Sequence, residues 1–419
     1  MNPHPLSPPG GEGQGEGSRP RHRLLLGGLL GAVALAVLGA AFALDALQPL
    51  LRVAQPVGQL FIRLLVVVVI PLAVSSLVLA LADLDPRTLG RLGGRLLLYA
   101  AGSSAVAALI GLLLVTAVGP GRGVPPAVRE NAGTRPPSAA VTMTGPARSS
   151  PAMVSLLALV VATVATGIAL GQLRGPRASA LRGGIEALHR GSAKAARWVM
   201  RLAPLGVGAL LFTTAMRMGT AAIQPVLAYV AVVIAGLLIH GGVVYALAVR
   251  FLGGMSPARF FRGARAAMAT AFSTASSAAA LPTTLRVAEE ELRLPPAVAR
   301  LVLTAGSAMN QNGTTLFEGV TVLFLAQVYG VDLSLLQQAG ILAISVLAGV
   351  GSAGVPGGGT LAIATLLLLF GIPVEGVGLI AGVDRLLDMC RTTVNVTGDL
   401  ALAVIVSRGE DPPPADPLR

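Results

Sequence analysis

The sequence predicts an all-α polytopic membrane protein. Of its 419 residues, 54% are hydrophobic and only 12% are charged, about half the charged fraction of an average soluble protein. Several apolar stretches reach the ~18–20 residues that an α-helix needs to span a bilayer. The apolar cores of the expected helices are 24–47, 60–82, 96–118, 153–173, 205–216, 226–252, 361–370 and 401–406.

Basic residues give the chain a net charge of +12. They form short clusters without the interleaved aromatic residues of a nucleic-acid groove, so we expect membrane lipid and no nucleic acid as a partner. Short Arg-rich loops between apolar helices mark the cytoplasmic side of a membrane, which places the N-terminus in the cytoplasm. The clusters that we expect in loops are Arg19, Arg21 and Arg23; Arg87, Arg91 and Arg95; Arg174, Arg177 and Arg182; and Arg259, Arg262 and Arg265.

Three segments lack apolar periodicity. Residues 1–22 are predicted to be a disordered cytoplasmic tail, and residues 407–419 a second solvated tail. Residues 120–151, rich in Pro, Gly, Arg and Ser, are predicted to be an irregular extracellular loop. The single cysteine, Cys390, excludes a disulfide framework and a cysteine-based metal cluster.

Two segments do not behave as ordinary membrane spans. Residues 272–285, FSTASSAAALPTTL, are small and hydroxylated, and residues 349–360, GVGSAGVPGGGT, are too rich in glycine to continue a helix. Their apolar flanks are too short to cross a bilayer alone. They predict two re-entrant helical hairpins with tips buried in protein, which in transporters point to the binding site. The alternative, mainly for the first segment, is a seam of small residues between packed helices.

Fixed charges occur inside the last apolar stretch, at 384–399. A charged side chain at the centre of a bilayer costs about 2.5–3.5 kcal/mol on insertion scales, so such groups usually have a function. At 100° per residue, positions 388, 391, 395 and 399 fall within an arc of about 80° on one helix. The pattern predicts a solute or ion pathway along the face that carries Asp384, Asp388, Arg391, Asn395 and Asp399.

A polar run, Asn310 to Thr314, interrupts another apolar helix. Gly313 and consecutive amides favour local unwinding, which frees backbone carbonyl groups. Free carbonyls and Asn side chains form an oxygen cage suited to Na⁺. The alternative is a buried hydrogen-bond network between helices.

Four motifs carry a resemblance to a known family. The runs SSAAALPTT, MNQNGTT, GSAGVPGGG and DRLLDMCRTTVNVTGD occur in the order found in the glutamate/aspartate transporter family of dicarboxylate/amino acid:cation symporters. The resemblance extends from about residue 56 to about residue 406 and is strongest over 270–400. It implies a homotrimer whose protomers have eight transmembrane helices and two re-entrant hairpins. It also implies an elevator mechanism, in which a transport domain moves against a scaffold.

The resemblance further implies a division of the chain between these two domains. The scaffold would comprise helices 1–2 (23–82) and helices 4–5 (152–218). The transport domain would comprise helix 3 (89–119) and residues 221–406. Within 221–406 we expect helix 6, hairpin 1 at about 256–292, helix 7 at about 296–328, hairpin 2 at about 334–370 and helix 8 at about 374–406.

Substrate contacts implied by the resemblance centre on the charged helix. Arg391 would clamp a side-chain carboxylate, since a guanidinium offers a bidentate fork. Asp388 would accept the α-ammonium group, and Asn395 would hold the α-carboxylate. The remaining implied substrate ligands are Thr392, Thr314, Ser276, Ser277 and the segment from Val355 to Gly359.

Two Na⁺ sites are implied as well, with no cofactor and no transition metal. Asp399 resembles a cation ligand together with carbonyl groups of Gly306, Asn310 and Asn395. A second site would form from carbonyl groups as hairpin 2 closes, near Ala308, Gly349, Val350 and Ser352.

The pair of charges also bears on substrate class. A neutral amino acid would leave Arg391 buried without a counter-ion, and a C4-dicarboxylate without an amine would leave Asp388 beside a second anion. Aspartate or glutamate satisfies both, in an inner-membrane symporter. The alternatives are a C4-dicarboxylate:cation symporter and a diverged member with reduced or uncoupled cation dependence. An enzyme is not expected, since no nucleophile–base or metal-ligand motif is present.

The sequence departs from the family at one cation site. The family motif Asn-x-Asp-Gly has Asn312 in place of its aspartate, and the pattern Tyr-x-x-Thr-Ser has Gly102 in place of its threonine. Tyr99, Ser103 and Asn310 remain. Because an amide carries no charge, we predict that this third site binds Na⁺ weakly or not at all.

Glu318 is the candidate proton carrier. It lies four and eight residues after Thr314 and Asn310, on the same helix face. Some proton-coupled family members carry glutamate here, and a carboxyl group among apolar neighbours holds a proton more readily. The alternative is a glutamate hydrogen-bonded to a neighbouring helix.

Overall fold

The computed structural model is helical wherever it is described and has no strand in those residues. The first predicted tail, helix 1, most of the predicted extracellular loop and residues 410–419 of the second tail lie outside the described residues. The beginning of that second tail is not fully solvated, since Ser407 is buried and Arg408 donates to the Phe251 carbonyl at 2.8 Å. The described residues are 47–82, 86–124, 162–163, 165–173, 175–218, 221, 223–351 and 358–409.

One group of helices is built around a single long helix. Helix α1 (Gln48–Ala82) contacts both α3 (Pro176–Arg201) and α4 (Ala203–Met218) along its length. A side chain on Gly206 of α4 would collide with Phe61 of α1, so only glycine allows this close approach.

The remaining helices surround α10 (Asn312–Tyr329) and α13 (Val377–Val406). The other members of this group are α2 (Pro86–Val118), α5 (Ile223–Leu238), α6 (Tyr245–Phe251), α7 (Pro257–Thr274), α8 (Ser277–Arg286), α9 (Pro296–Met309), α11 (Leu335–Gly351) and α12 (Gly358–Leu369). Short π-helical turns connect α5 to α6 and follow α8, and a 3₁₀ turn precedes α13.

Helix α10 forms the core of this group. Sixteen of its 18 residues are buried, so the helix is enclosed on every side rather than along one stripe. The Tyr229 ring of α5 stacks on Phe324 with centroids 4.6 Å apart, and its hydroxyl lies 2.8 Å from Oγ1 of Thr321. A glycine of α2, Gly111, brings that helix against Val320. Packing from all sides fixes the polar N-terminus of α10 in the interior.

Helices α7 and α8 form a hairpin with a two-residue tip. Helix α7 ends at Thr274 and is followed by Ala275, whose φ of 48° is left-handed and unfavourable for a side chain. The next residue, Ser276, starts α8 by accepting a hydrogen bond from the Ala279 amide at 3.2 Å. The chain thus reverses at the small hydroxylated residues. The prediction that this tip is buried in protein is wrong, since Ser273 and Thr274 beside it are exposed and Ser276 is only half-buried.

Helices α11 and α12 flank the second glycine-rich segment. Residues 352–357 between them, including Ser352 and Val355, lie outside the described residues. Both helices contact α1 and α10.

Three helical stretches are long and apolar enough to cross a membrane, counted over the described residues. They are Gly94–Val118, Ile223–Phe251 and Val374–Val406. The last is 78% buried within the protein over its best window, so it faces protein more than lipid.

The prediction that the arginine clusters lie in loops is wrong for three of the four clusters. Arg87, Arg91 and Arg95 lie on α2. Arg177 and Arg182 lie on α3, and Arg259, Arg262 and Arg265 lie on α7. Arginine is a good helix former, so these helices extend through their basic ends without a break. Arg174 and the cluster before residue 24 are outside the described residues.

Helix α3 has no counterpart among the predicted apolar cores. It contains basic residues throughout and is amphipathic rather than uniformly apolar. A search for long apolar runs misses such a helix, because only its inner face, with residues such as Ala193, Ala196 and Val199, is buried.

The close approach of α6 to α13 can be tested by adding a side chain where the two helices meet. A Cβ on Gly398 would collide with the Tyr245 hydroxyl and lie 2.8 Å from Nδ2 of Asn310. We expect Gly398→Ala to lower stability by about 1–3 kcal/mol through overpacking. The midpoint of thermal unfolding in detergent measures this.

The control is Gly208→Ala in α4, where an added Cβ meets no atom within 4 Å. It should be neutral, or stabilising by up to about 1 kcal/mol through helix propensity. Equal midpoints for the two variants would contradict the packing described for α13.

Candidate functional site

The charged face of α13 holds a buried arginine between carboxylates. Nε of Arg391 donates to Oδ1 of Asp388 at 2.9 Å, and its Nη1 lies 3.9 Å from Oδ1 of Asp384. The Arg391 side chain is 5% exposed, whereas those of Asp388 and Asp384 are 23% and 26% exposed. Oγ1 of Thr392 lies at 3.5 Å from the same Asp388 oxygen. The carboxylates thus line the more open side of a buried guanidinium.

Two other helices enclose the guanidinium. The Phe317 ring of α10 lies under it, with Cζ of Arg391 4.5 Å from the ring centroid, a cation–π contact. The backbone of Gly359 in α12 approaches so closely that an added Cβ would collide with the guanidinium. Within the described residues, Nη1 makes no hydrogen bond. The site therefore offers one unused charged donor in a buried position.

The break between α9 and α10 lies next to this arginine. Residues Asn310 and Gln311 are outside both helices, as the run of amides predicts. The Gly313 amide donates to Oδ1 of Asn395 at 2.7 Å, and Nδ2 of Asn395 donates to Oε1 of Gln311 at 2.6 Å and to Oγ1 of Thr314 at 3.0 Å. One side chain of α13 thus holds the start of α10.

Glycine at 313 makes this contact possible. A Cβ there would lie 2.5 Å from the Arg391 carbonyl oxygen. The sequence predicts unwinding from this glycine, and the structure adds that its absent side chain lets α10 touch the α13 backbone.

A buried carboxylate lies one turn beyond Asn395. Asp399 is 3% exposed, and its Oδ1 accepts a hydrogen bond from Nδ2 of Asn310 at 3.3 Å. Gly306 and Ala308 lie in the last turn of α9, where carbonyl groups have no partner within a helix. Gly349 and Val350 lie in the last turn of α11. These oxygen atoms are of the kind that hard cations bind.

The predicted third cation site is a hydrogen-bonded cluster. Nδ2 of Asn312 donates to Oγ of Ser103 at 2.9 Å and to Oδ1 of Asn310 at 3.0 Å. Tyr99 lies one turn before Ser103 on α2. Gly102 is on the exposed side of α2, and an added Cβ there meets no atom within 4 Å, so the structure does not bring it into the cluster.

Glu318 lies in the second turn of α10. It is 1% exposed, and its Oε2 makes no hydrogen bond within the described residues. The ring of the preceding residue, Phe317, contacts the Arg391 guanidinium. The structure therefore places a buried carboxyl group near the guanidinium.

Three residues contact the site in the structure but are not among the ligands predicted from the sequence. Gln311, Phe317 and Tyr245 contact Asn395, Arg391 and Asn312 respectively. Gln311 could have been found as part of the polar run. Tyr245 and its neighbour His240 stand out only as polar groups within an apolar span, a weak signal.

The role of Asn395 in holding the break can be tested without any ligand. Asn395→Ala leaves the buried Gly313 amide without an acceptor, and we expect a loss of about 1–3 kcal/mol in the free energy of unfolding. Thr397→Val is the control, since it removes only a hydrogen bond to the Thr393 carbonyl within α13. Thermal unfolding in detergent should show a clear downward shift for Asn395→Ala alone. Equal shifts would show that Asn395 does not hold α10 to α13.

Comparison with known proteins gives a consistent result. Residues 24–409 match the sodium:dicarboxylate symporter family. The chain is 32% identical to a proton/glutamate-aspartate symporter of Escherichia coli, over 84% of each protein. It is 32% identical to a proton/sodium-glutamate symport protein of Bacillus caldotenax (85% of this chain, 87% of the relative) and 30% identical to human excitatory amino acid transporter 2 (85% and 75%). The chain belongs to the sodium:dicarboxylate symporter family of membrane transporters.

Proposed function

We propose that this protein is a secondary active transporter that moves acidic amino acids, aspartate or glutamate, across the inner membrane together with Na⁺ or H⁺. The observation that carries the proposal is the buried Arg391 guanidinium, which has two carboxylates on its open side and one donor that no described residue uses. Relatives named as glutamate and aspartate symporters support the same substrate class.

Binding of such a substrate conserves charge pairing. Its side-chain carboxylate takes the guanidinium of Arg391, and its ammonium group takes the carboxylate of Asp388. The ion pair between Arg391 and Asp388 is thereby exchanged for two charge-assisted contacts, and no buried charge is left alone. A C4-dicarboxylate has a carboxylate for Arg391 but no ammonium group for Asp388. A neutral amino acid has the ammonium group but no side-chain carboxylate.

The other substrate contacts come from the neighbouring elements. Asn395 would bind the α-carboxylate, with hydroxyl groups from Thr314 and Thr392. Ser276 and Ser277 at the tip of the α7–α8 hairpin, Gly359 at the start of α12, and Val355 would close over the ligand. The close approach of Gly359 to Arg391 and the packing of α8 on α13 support this arrangement.

Cations would bind on the far side of Asn395. Asp399 with oxygen atoms from Gly306, Asn310 and Asn395 would form the first site, because a buried carboxylate is stabilised by a cation in low dielectric. The second site would use carbonyl groups of Ala308, Gly349, Val350 and Ser352. The third would be weak or lost, because the Asn312 amide brings no charge.

For the architecture we propose eight transmembrane helices and two re-entrant hairpins in a homotrimer, with the N-terminus in the cytoplasm. Helices α1, α3 and α4 would belong to the scaffold, and α2 with α5–α13 to the transport domain. The grouping of contacts supports this division, since the two sets meet mainly where α11, α12 and α13 contact α1 and α4. Elevator movement would occur across that surface.

The substrate assignment is tested by removing one charge from the site. Asp388→Asn removes the proposed partner of the ammonium group, so L-aspartate binding should weaken by about tenfold or more, or about 1.4 kcal/mol. Succinate has no ammonium group, and its binding should stay the same or tighten because an anion is removed. Ligand-induced shifts in thermal stability, titrated with each compound in Na⁺ buffer, give both affinities.

The matched control is Asp332→Asn, an exposed aspartate between α10 and α11. It should leave both affinities unchanged. Equal weakening of both ligands by Asp388→Asn would contradict the ammonium assignment and favour a C4-dicarboxylate transporter. Failure of any acidic ligand to shift the wild-type protein would overturn the proposed function.

The coupling ion is tested separately through Glu318. We propose that its buried carboxyl group carries a proton, and therefore expect Glu318→Gln to abolish the stimulation of aspartate uptake by an imposed proton gradient in proteoliposomes. Stimulation by a Na⁺ gradient should persist in the variant, and exposed Glu375→Gln should behave as the wild type. Unchanged pH dependence in Glu318→Gln would remove the proton role.

A further inference from the structure

The Asn312 amide lies at the centre of a fully buried group of polar side chains. Its Nδ2 donates toward Oγ of Ser103 at 2.9 Å, the Tyr245 hydroxyl at 3.0 Å and Oδ1 of Asn310 at 3.0 Å. Its Oδ1 accepts from Oγ of Ser104 at 2.7 Å. All five side chains are less than 9% exposed. We refer to these residues as the amide cluster.

The amide cluster connects separate parts of the fold. Ser103 and Ser104 belong to α2, Tyr245 opens α6, and Asn310 lies in the break before α10. Asn310 in turn donates to Asp399 of α13. A single side chain therefore links the helix break to two neighbouring helices and, through one more residue, to α13.

The donor side of the cluster has the geometry of a cation cage. Three oxygen atoms converge on one nitrogen from about equal distances, although an amide NH₂ group has only two hydrogens to offer. A carboxylate at position 312 would instead bring a negative charge against Oδ1 of Asn310, which cannot donate to it, and only the two hydroxyl groups could turn to do so. Such an arrangement is unfavourable in a buried position unless a cation or a proton enters it.

His240 extends the cluster behind two of the three acceptors. It is fully buried at the π-helical turn between α5 and α6, and its Nε2 lies 3.4 Å from Oγ of Ser103. Its ring meets the Tyr245 ring edge-on with centroids 4.8 Å apart. His240 thus contacts both Ser103 and Tyr245 and restricts where their oxygen atoms lie.

We propose that the Asn312 amide is a permanent replacement for a bound cation. It holds α2, α6 and the α9–α10 break together without an ion, and His240 is a positioning residue for two of its acceptors. This role of the amide in the fold does not depend on the proposed function. Its consequence for transport, one cation fewer in each cycle, rests on the proposed function.

The decisive variant is Asn312→Asp, which has the same shape and exchanges the donor for a charged acceptor. In alkaline buffer without substrate, its melting temperature should fall below that of the wild type when choline is the only cation, and Na⁺ should restore it. The slope of log Kd for L-aspartate against log Na⁺ concentration should become steeper by about one, the linkage expected for one added ion. An equal Na⁺ response in variant and wild type would overturn the proposal.

Gln327→Glu is the matched control. Gln327 also joins α10 to α2, donating to the Val115 carbonyl at 3.1 Å and accepting from the Gly121 amide at 3.0 Å, but no ring of oxygen atoms surrounds it. The change should lower the melting temperature equally in choline and Na⁺. Restoration by Na⁺ here would show that any buried acid recruits the ion, which would also overturn the proposal.

A second variant serves if Asn312→Asp does not fold. Tyr245→Phe removes one acceptor while the amide stays, so it should lower the melting temperature by the same amount in Na⁺ and in choline. A reduction seen in Na⁺ alone would mean that the wild-type tyrosine binds a cation. Failure of the wild type to bind aspartate would overturn the proposed function. The melting temperatures measured without substrate would still decide the role of the amide.

Discussion

The burial of the Arg391 charge is the constraint on which the rest of the site depends. A guanidinium that is 5% exposed must be compensated, and Asp388, Asp384 and the Phe317 ring supply that compensation from α13 and α10. The compensation is incomplete, because one nitrogen makes no hydrogen bond to the described protein. A ligand that brings a carboxylate for the arginine and a cation for Asp388 would complete it, and an acidic amino acid supplies both groups while its α-carboxylate remains available for Asn395.

The same site depends on the break between α9 and α10, which a side chain of α13 holds in place. Asn395 of α13 accepts from the Gly313 amide and donates to Gln311 and Thr314, so the side chain that we propose as a substrate ligand also holds the break. In the same break, Asn310 donates to Asp399, and Asn312 beside it donates to residues of α2 and α6. The proposed solute site at Arg391 and the proposed cation site near Asp399 therefore lie against the same helix break, which is the physical basis we propose for coupling.

Periodicity was sufficient to predict the polar face of α13, because a helix places residues 388, 391 and 395 on one side whatever surrounds it. The break at Asn310 and Gln311 was also predictable, since amides and glycine disfavour a continued helix. The contacts of Phe317 and Tyr245 were not, because they depend on how α10, α6 and α13 pack. The arginine clusters on α2, α3 and α7 were wrongly assigned to loops, because charge was read without regard to helix propensity.

The proposed substrate class depends on recognition of a side-chain carboxylate by Arg391. Calorimetric titration of the purified protein with L-aspartate and with L-asparagine in Na⁺ buffer tests it most directly, since the two ligands differ only in the group that would meet the guanidinium. We expect aspartate to bind at least about a hundredfold more tightly, or about 2.7 kcal/mol, as for a charge-assisted bidentate contact. Equal affinities for the two ligands would contradict the account.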